Sequence, residues 1–263
     1  MSSLVPVLEA RGVSKSYRSR HRSVQALDGV SLAVPAGATL GVVGESGSGK
    51  STLARLLLAL DQPTEGTVLY RGAQVSGRRE RELVEFRRRV QIVFQDPMSS
   101  LDPRMRVYDL LAEPLRALAV PGDQGERVAE LLASVELPAD AARRYPHQFS
   151  GGQRQRIAIA RALGPSPEVL VADEPVSALD VSVRAQILNL LASLVRDFNL
   201  TLVFISHDMA VVRHLCRSVA VLYRGHLVET GPTHQIYRSP QHEYTRELLA
   251  AVPRVRTERV RAH

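Results

Sequence analysis

Tryptophan is absent from this 263-residue sequence, cysteine occurs once and lysine twice. A single thiol, Cys216, permits no internal disulfide and no cysteine-built metal cluster, which suits a reducing, cytoplasmic setting. Aromatic residues make up only 5%, which disfavours an antiparallel β-sandwich and an aromatic platform for stacking bases. No apolar run approaches the roughly twenty residues of a membrane-spanning helix, and the densest, Leu53–Leu60, is interrupted by Arg55. Met1–Gly12 lacks the basic region and apolar core of a secretory signal. These absences predict a soluble chain whose membrane role would come through a partner.

Hydrophobic residues at 44% and charged residues at 23% exclude a disordered chain and suit one large α/β unit or two small domains. The net charge is +7, and all but two of the 34 basic residues are arginine. Such a charge is compatible with nucleic acid, anionic lipid or a nucleotide ligand. Arg78, Arg79, Arg81, Arg87, Arg88 and Arg89 alternate with Glu80, Glu82 and Glu85, which reads as a solvated helix face with i,i+3 and i,i+4 pairs. Arg254–His263 reads as a mobile basic tail.

Two β-like runs, Val5–Val13 and Val24–Val34, open the chain, followed by a short apolar strand over Thr39–Val43. Helix periodicity covers Lys50–Leu60, and a strand is expected over Thr67–Tyr70. A charged helical stretch over Arg78–Arg89 precedes a strand over Val90–Phe94. From Val107 to Tyr145 the pattern is helical and strand-poor, with breaks at Pro121-Gly122 and Pro138, and a helix spans Gly151–Leu163. Strands over Val169–Ala172 and Leu200–Ile205 then alternate with helices over Val181–Arg196 and Met209–Cys216. Two β-runs, Val219–Tyr223 and His226–Glu229, come last. Alternation of this kind predicts a parallel sheet covered on both faces, interrupted by a helical insertion near residues 96–164.

Gly44-Glu45-Ser46-Gly47-Ser48-Gly49-Lys50-Ser51 is a complete P-loop between a strand and a helix. Its glycines let backbone N–H groups turn inward onto phosphate oxygens, and the helix adds its positive end. Lys50 supplies a compact positive charge, and Ser51 a hydroxyl ligand for Mg²⁺. Asp173 and Glu174 end an apolar strand, where Asp173 can reach Mg²⁺ through water and Glu174 can deprotonate an attacking water. Alone, that acid pair reads better as a helix cap or a solvated pair; beside a P-loop the balance reverses. Gln95 and His207 also follow strands, and parallel sheets gather ligands at the carboxyl ends of their strands. Four such ends converging on one nucleotide predict a nucleoside triphosphatase.

Phe149-Ser150-Gly151-Gly152-Gln153 resembles the signature of ABC-type ATPases, with Phe149 where Leu is usual. The P-loop, Gln95, this signature, Asp173-Glu174, Ser177-Ala178-Leu179-Asp180 and His207 stand in that family's order. The resemblance implies an α/β fold: a RecA-like P-loop core with an N-terminal antiparallel β-subdomain and an inserted α-helical subdomain. Its implied layout assigns 1–95 and 165–237 to the core with its β-subdomain, 96–164 to the helical insertion, and 238–263 to a C-terminal extension. It implies ATP and Mg²⁺ as ligands, with Glu174, His207 and Gln95 catalytic. Tyr17 would stack on adenine, residues 44–51 and Thr52 would hold the phosphates, and Ser51, Gln95 and Asp173 would hold the metal. Ser150, Gly151, Gly152, Gln153 and Asp180 would act on the ATP bound by a second ATP-binding subunit, identical or homologous.

A closer resemblance, to the ATP-binding subunits of oligopeptide, dipeptide and nickel importers, rests on Phe94–Arg104, Tyr145–Phe149 and Ser239–Thr245. It implies two transmembrane permease subunits, an extracytoplasmic solute-binding protein and a place on the cytoplasmic face of the membrane, with nucleic acid not expected as a partner. Uptake of peptides or a related solute is the implied function. Many peptide-importer subunits continue into a proline-rich tail with paired cysteines, and the lack of cysteine before His263 weakens the peptide assignment relative to nickel or a related solute. A carbon–phosphorus lyase accessory ATPase and a soluble nucleic-acid-linked ATPase are the alternatives. The loop Gln95–Arg104, between the nucleotide site and the insertion, is expected to pass nucleotide state to a permease through Met98, Ser99 and Leu101.

Overall fold

A computed structural model describes residues 5–18 and 23–251. Alternating burial makes Leu8–Arg18 (β1) and Ser23–Val34 (β2) a long antiparallel pair, with Leu8 opposite Val34. The first β-run thus starts later than Val5 and continues to Arg18, and residues 19–22 lie outside the described residues. Thr39–Val43 (β3) is buried at every position and leads through the glycine turn into Lys50–Leu57 (α1). This helix stops at Leu57, short of Leu60, because Ala59 takes a left-handed φ of 49° and donates its amide to Leu56. Glu65–Tyr70 (β4) and Ala73–Gln74 (β5) then complete an antiparallel sheet in the order β2-β1-β4-β5.

The charged stretch is less helical than expected. Glu80–Glu82 form a single 3₁₀ turn, and Val84–Arg89 (α2) runs directly into Val90–Val93 (β6). Its arginines do form the ion pairs Arg79–Glu82, Arg88–Glu85 and Arg89–Glu85. Two of them also have structural work. Arg87 donates to the carbonyls of Leu58 and Ala59 after α1, and Arg88 to those of Leu118 and Ala119. Each closes a helix C-terminus whose carbonyls lack intrahelical partners.

Between β6 and the next strand the described chain has helices only, Val107–Ala117 (α3), Gln124–Ser134 (α4) and Gly151–Leu163 (α5), besides short 3₁₀ turns. Val169–Asp173 (β7), Val181–Asp197 (α6), Thr201–Ser206 (β8), Met209–Leu215 (α7) and Ser218–Tyr223 (β9) restore the alternation. His226–Pro232 (β10), Thr233–Arg238 (α8) and Glu243–Ala250 (α9) finish the described chain. The last two helices escape periodicity analysis because each is shorter than the window that separates helix from strand. The tail read as mobile, Arg254–His263, lies outside the described residues.

The second sheet runs β10-β9-β3-β8-β7-β6, parallel from β9 to β6, with β10 antiparallel at one edge. Its strands send successive residues to opposite faces. Leu170, Ala172, Leu202, Phe204, Val219 and Val221 join the core under α3–α7, together with Ile236 of α8 and Tyr244 of α9. Val169, Val171, Val203, Ile205, Ala220 and Leu222 face the opposite way, toward α1 and the antiparallel sheet. Both faces being covered explains strands that are apolar throughout and not alternating. Cys216 is buried, which pushes its thiol up to about 12 and leaves it a packing residue. Among the described residues, no helix is long and apolar enough to cross a membrane.

Candidate nucleotide site

The turn between β3 and α1 accepts glycine alone at two points. A Cβ at Gly44 would lie 2.2 Å from the carbonyl oxygen of Leu222. At Gly49, with φ 106°, it would lie 2.5 Å from that of Ala26. Lys50 is 5% exposed and folds back over the turn, its ammonium donating to the carbonyls of Gly44 at 2.8 Å and Glu45 at 2.7 Å. Burial holds its pKa below the usual lysine range, against the pull of Glu174, Asp173 and Glu45. The amides of Ser46, Gly47 and Gly49 find no protein acceptor among the described residues, and the buried Ser48 hydroxyl has no partner there either. A concave set of donors around a buried cation is an anion cradle.

Sheet order brings the other candidates to it. β3, β8, β7 and β6 are consecutive neighbours, so the P-loop, His207, Asp173-Glu174 and Gln95 stand side by side along one edge. Ser51 Oγ donates to Asp173 Oδ1 at 3.4 Å. Burial raises the Asp173 carboxyl above its ordinary range; Ser51 and Lys50 pull it down, while Glu174 pushes it further up. Glu174 has a left-handed φ of 46° and donates its amide to Ile205 of β8 at 3.0 Å. That conformation is uncommon for a side-chain-bearing residue. Its carboxylate reaches His207, with Oε2 and Nδ1 3.2 Å apart.

A cavity of about 450 Å³ is lined by Tyr17, Lys50, Ser51, Thr52, Gln95 and Glu174, along with Ser46, Gly47 and Gly49. Its neighbour, about 410 Å³, is lined by Glu45, Ser46, Glu174, His207 and Leu248. Ser46 and Glu174 belong to both. Tyr17 is exposed, yet its hydroxyl donates to Asp61 at 2.9 Å, and Lys15 donates to the same carboxylate at 2.6 Å. Burial would raise Asp61, but the bonds from Lys15 and Tyr17 outweigh it and leave the carboxyl below its usual range. Asp61 therefore fixes the aromatic wall of the cavity, a role the sequence does not reveal because the partners are 44 residues apart.

The other candidates stay apart. Ser150, Gly151, Gly152, Gln153 and Asp180 line neither cavity. Ser150 and Gln153 instead form a reciprocal cap on α5, Gln153 N–H to Ser150 Oγ at 3.3 Å and Ser150 N–H to Gln153 Oε1 at 3.0 Å. This is the capping box that fixes a helix start. Asp180 precedes α6, exposed and without a capping bond. Gly152 lets α5 approach α6, since a Cβ there would meet Val183 Cγ1 at 2.4 Å. Gly152→Ala should therefore overpack this contact and lower the melting temperature by several degrees, about 2–4 °C per kcal/mol. Val183→Ala in the same chain should restore most of the loss in a thermal melt; no restoration would place the strain elsewhere.

Residues 27–177 match the family described as ABC transporter. The chain belongs to the ABC transporter family. It is similar to the oligopeptide transport ATP-binding protein AppF of Bacillus subtilis, 48% identical over 257 residues covering 94% of this chain and 78% of AppF. OppF of the same organism, also named an oligopeptide transport ATP-binding protein, is 46% identical over 94% of this chain and 82% of its own. The fold is that of the dimeric ATP-binding cassette MJ0796 bound to ADP and Pi in a post-hydrolysis state. There the TM-score is 0.78 with 32% identity, covering 86% of this chain and 98% of that one.

As an ABC ATPase the chain binds and hydrolyses ATP. Residues 228–263 also match the C-terminal region of oligopeptide/dipeptide transporters, so a cysteine-free end does not separate this ABC ATPase from that group, and the weighting toward nickel loses its ground. Leu101 needs a correction of another kind. It is 1% exposed and packs in the core with the insertion helices, whereas Met98 is exposed beside it. Leu101 therefore packs the insertion and presents no surface to a partner. No sequence pattern singles out Tyr244, whose hydroxyl bonds to the P-loop, or Leu248, which lines a cavity with Glu174 and His207; the resemblance over Ser239–Thr245 covers only the first.

Proposed function

We propose that this chain is the ATP-hydrolysing subunit of a peptide importer. The observation that carries the hydrolytic reading is the convergence of the P-loop, Gln95, Asp173, Glu174 and His207 on four adjacent strand ends. Lys50 and the amides of residues 46, 47 and 49 bind the phosphates, and Tyr17, tethered by Asp61, stacks on adenine. Glu174 takes the proton of the lytic water while His207 orients the carboxylate and contacts the γ-phosphate.

The Ser51 hydroxyl and Asp173 carboxylate, 3.4 Å apart, are oxygen ligands of the kind a hard cation takes, and Gln95 completes the set. So small a protein ligand set suits Mg²⁺, an ion that keeps waters and phosphate oxygens as ligands. When bound, Mg²⁺ neutralises charge on the phosphates.

The match over 228–263 supports peptides as the solute class. Two permease subunits would hold the chain at the cytoplasmic face, a second ATP-binding subunit would supply the signature residues Ser150–Gln153 and Asp180, and an extracytoplasmic binding protein would deliver the solute. Co-purification with multi-span permeases and ATP-dependent peptide uptake in vesicles tests this. Uptake of nickel alone, or recovery with soluble lyase subunits, would overturn it. Within that assembly, Met98→Glu should reduce uptake at least about tenfold while the isolated subunit keeps its ATPase rate, because Met98 is exposed and Leu101 carries the packing. Equal loss of ATPase and melting temperature would show that Met98 only packs.

A further inference from the structure

The C-terminal helix lies against the nucleotide site through an unusual contact. Tyr244 is 4% exposed, and its hydroxyl accepts the backbone N–H of Glu45 at 2.8 Å across 199 residues of sequence. Glu45 is the first residue after Gly44 in the P-loop, and its carbonyl is one of the two that hold the Lys50 ammonium. The same carbonyl accepts the Ser48 amide at 3.2 Å. Both peptide units that meet at Glu45 are thus tied, the first by Tyr244 at its N–H and Lys50 at the Gly44 carbonyl, the second by Lys50 and Ser48 at the Glu45 carbonyl.

The tyrosine is itself held firmly. Its ring packs on Tyr223, the last residue of β9, with centroids 4.0 Å apart. The amides of Gln241 and His242 donate to Glu229 of β10 at 2.9 and 3.0 Å, and His242 Nδ1 accepts the Tyr244 amide at 3.2 Å. Leu248, four residues on and therefore on the same helix face, lines the cavity shared by Glu45, Ser46, Glu174 and His207. A helix fastened to the sheet edge at one end thus sets Tyr244 on the phosphate loop and Leu248 in the wall of the cavity beside it.

We propose that Tyr244 is a positioning residue of the ATP site, and that α9 is a strut through which the C-terminal region sets the geometry of the P-loop. This rests on the reading of residues 44–52 as the phosphate cradle. The hydroxyl anchors the Glu45 N–H, and with it the Gly44 carbonyl of the same planar peptide unit, which accepts from the Lys50 ammonium at 2.8 Å. Loss of the hydroxyl loosens the cradle before nucleotide arrives and leaves the chemistry at Glu174 unaltered. Its cost falls on binding.

The test uses the full chain and three variants. Tyr244→Phe keeps the ring and removes only the hydroxyl. It should raise the Kd for ATP and the KM by about three- to tenfold, with kcat within about twofold and faster hydrogen exchange at the Glu45 amide. Leu249→Ala, on the same helix and packed half-buried against the core, should lower the melting temperature and leave Kd and KM at wild-type values. Lys50→Ala checks the cradle itself: if it retains wild-type ATP affinity, the reading of the P-loop fails whatever Tyr244 does. With that control behaving as expected, unchanged Kd and KM in Tyr244→Phe overturn the proposal. So does a rise that Leu249→Ala reproduces at equal loss of stability.

Discussion

Replacing Glu174 by Gln is expected to slow ATP hydrolysis by about 10²–10⁴-fold while ATP still binds. The amide keeps the shape of the carboxylate and loses only its capacity to take a proton. Geometry favours Glu174 over the other candidates. It borders both cavities, so it lies between the phosphate cradle and His207. Its backbone is held at φ 46° by the bond to Ile205. A conformation that costs free energy and aims one carboxylate at a cavity is what a proton acceptor in a fixed position requires. Asp173, by contrast, accepts from Ser51, the residue proposed with it as a cation ligand. The variant should accumulate an ATP-bound dimer, visible by size-exclusion chromatography with ATP and Mg²⁺. Wild-type turnover in the purified variant would move the base to another group, His207 first.

The second large effect concerns Lys50 and Ser150, which lie in different regions of one chain and should nevertheless belong to one reaction. Lys50→Ala removes the buried cation from the cradle and should weaken ATP binding by about 10- to 150-fold, the range of a lost charge-assisted hydrogen bond. Ser150→Arg places bulk and charge at the start of α5, where neither cavity of its own chain is lined. It should still abolish hydrolysis, because in the proposed dimer that helix start faces the partner's nucleotide. In a homodimer, the P-loop of the Ser150→Arg chain and the α5 start of the Lys50→Ala chain make one intact site. Mixing the two inactive variants in equal amounts should restore at most about a quarter of wild-type activity, since half the dimers are mixed and each has one good site. Ser150 also caps α5, at about 1 kcal/mol, so a thermal melt must accompany the assay. Full ATPase activity in either variant alone would end the shared-site reading.

The residues alone dictate the parts of this protein whose physics is local. A five-residue apolar strand, a glycine turn and a helix opening on Lys50 follow from residue types within a dozen positions, and α5 spans Gly151–Leu163 as its pattern dictates. The residues at four strand ends were legible for the same reason, since a run of branched apolar residues ends where a polar one begins. Tertiary structure alone decided which ends are neighbours: the order β3-β8-β7-β6 depends on burying both faces of a sheet, a property of the whole chain. It also decided that Leu101 is core, that Arg87 and Arg88 close helix ends, and that Asp61 tethers Tyr17. Tyr244 is the extreme case. Its helix is too short for periodicity to reveal, and its one informative partner, the Glu45 amide, is a backbone group that every non-proline residue carries. No side-chain pattern could mark that pairing; only the docking of α9 against the P-loop makes it.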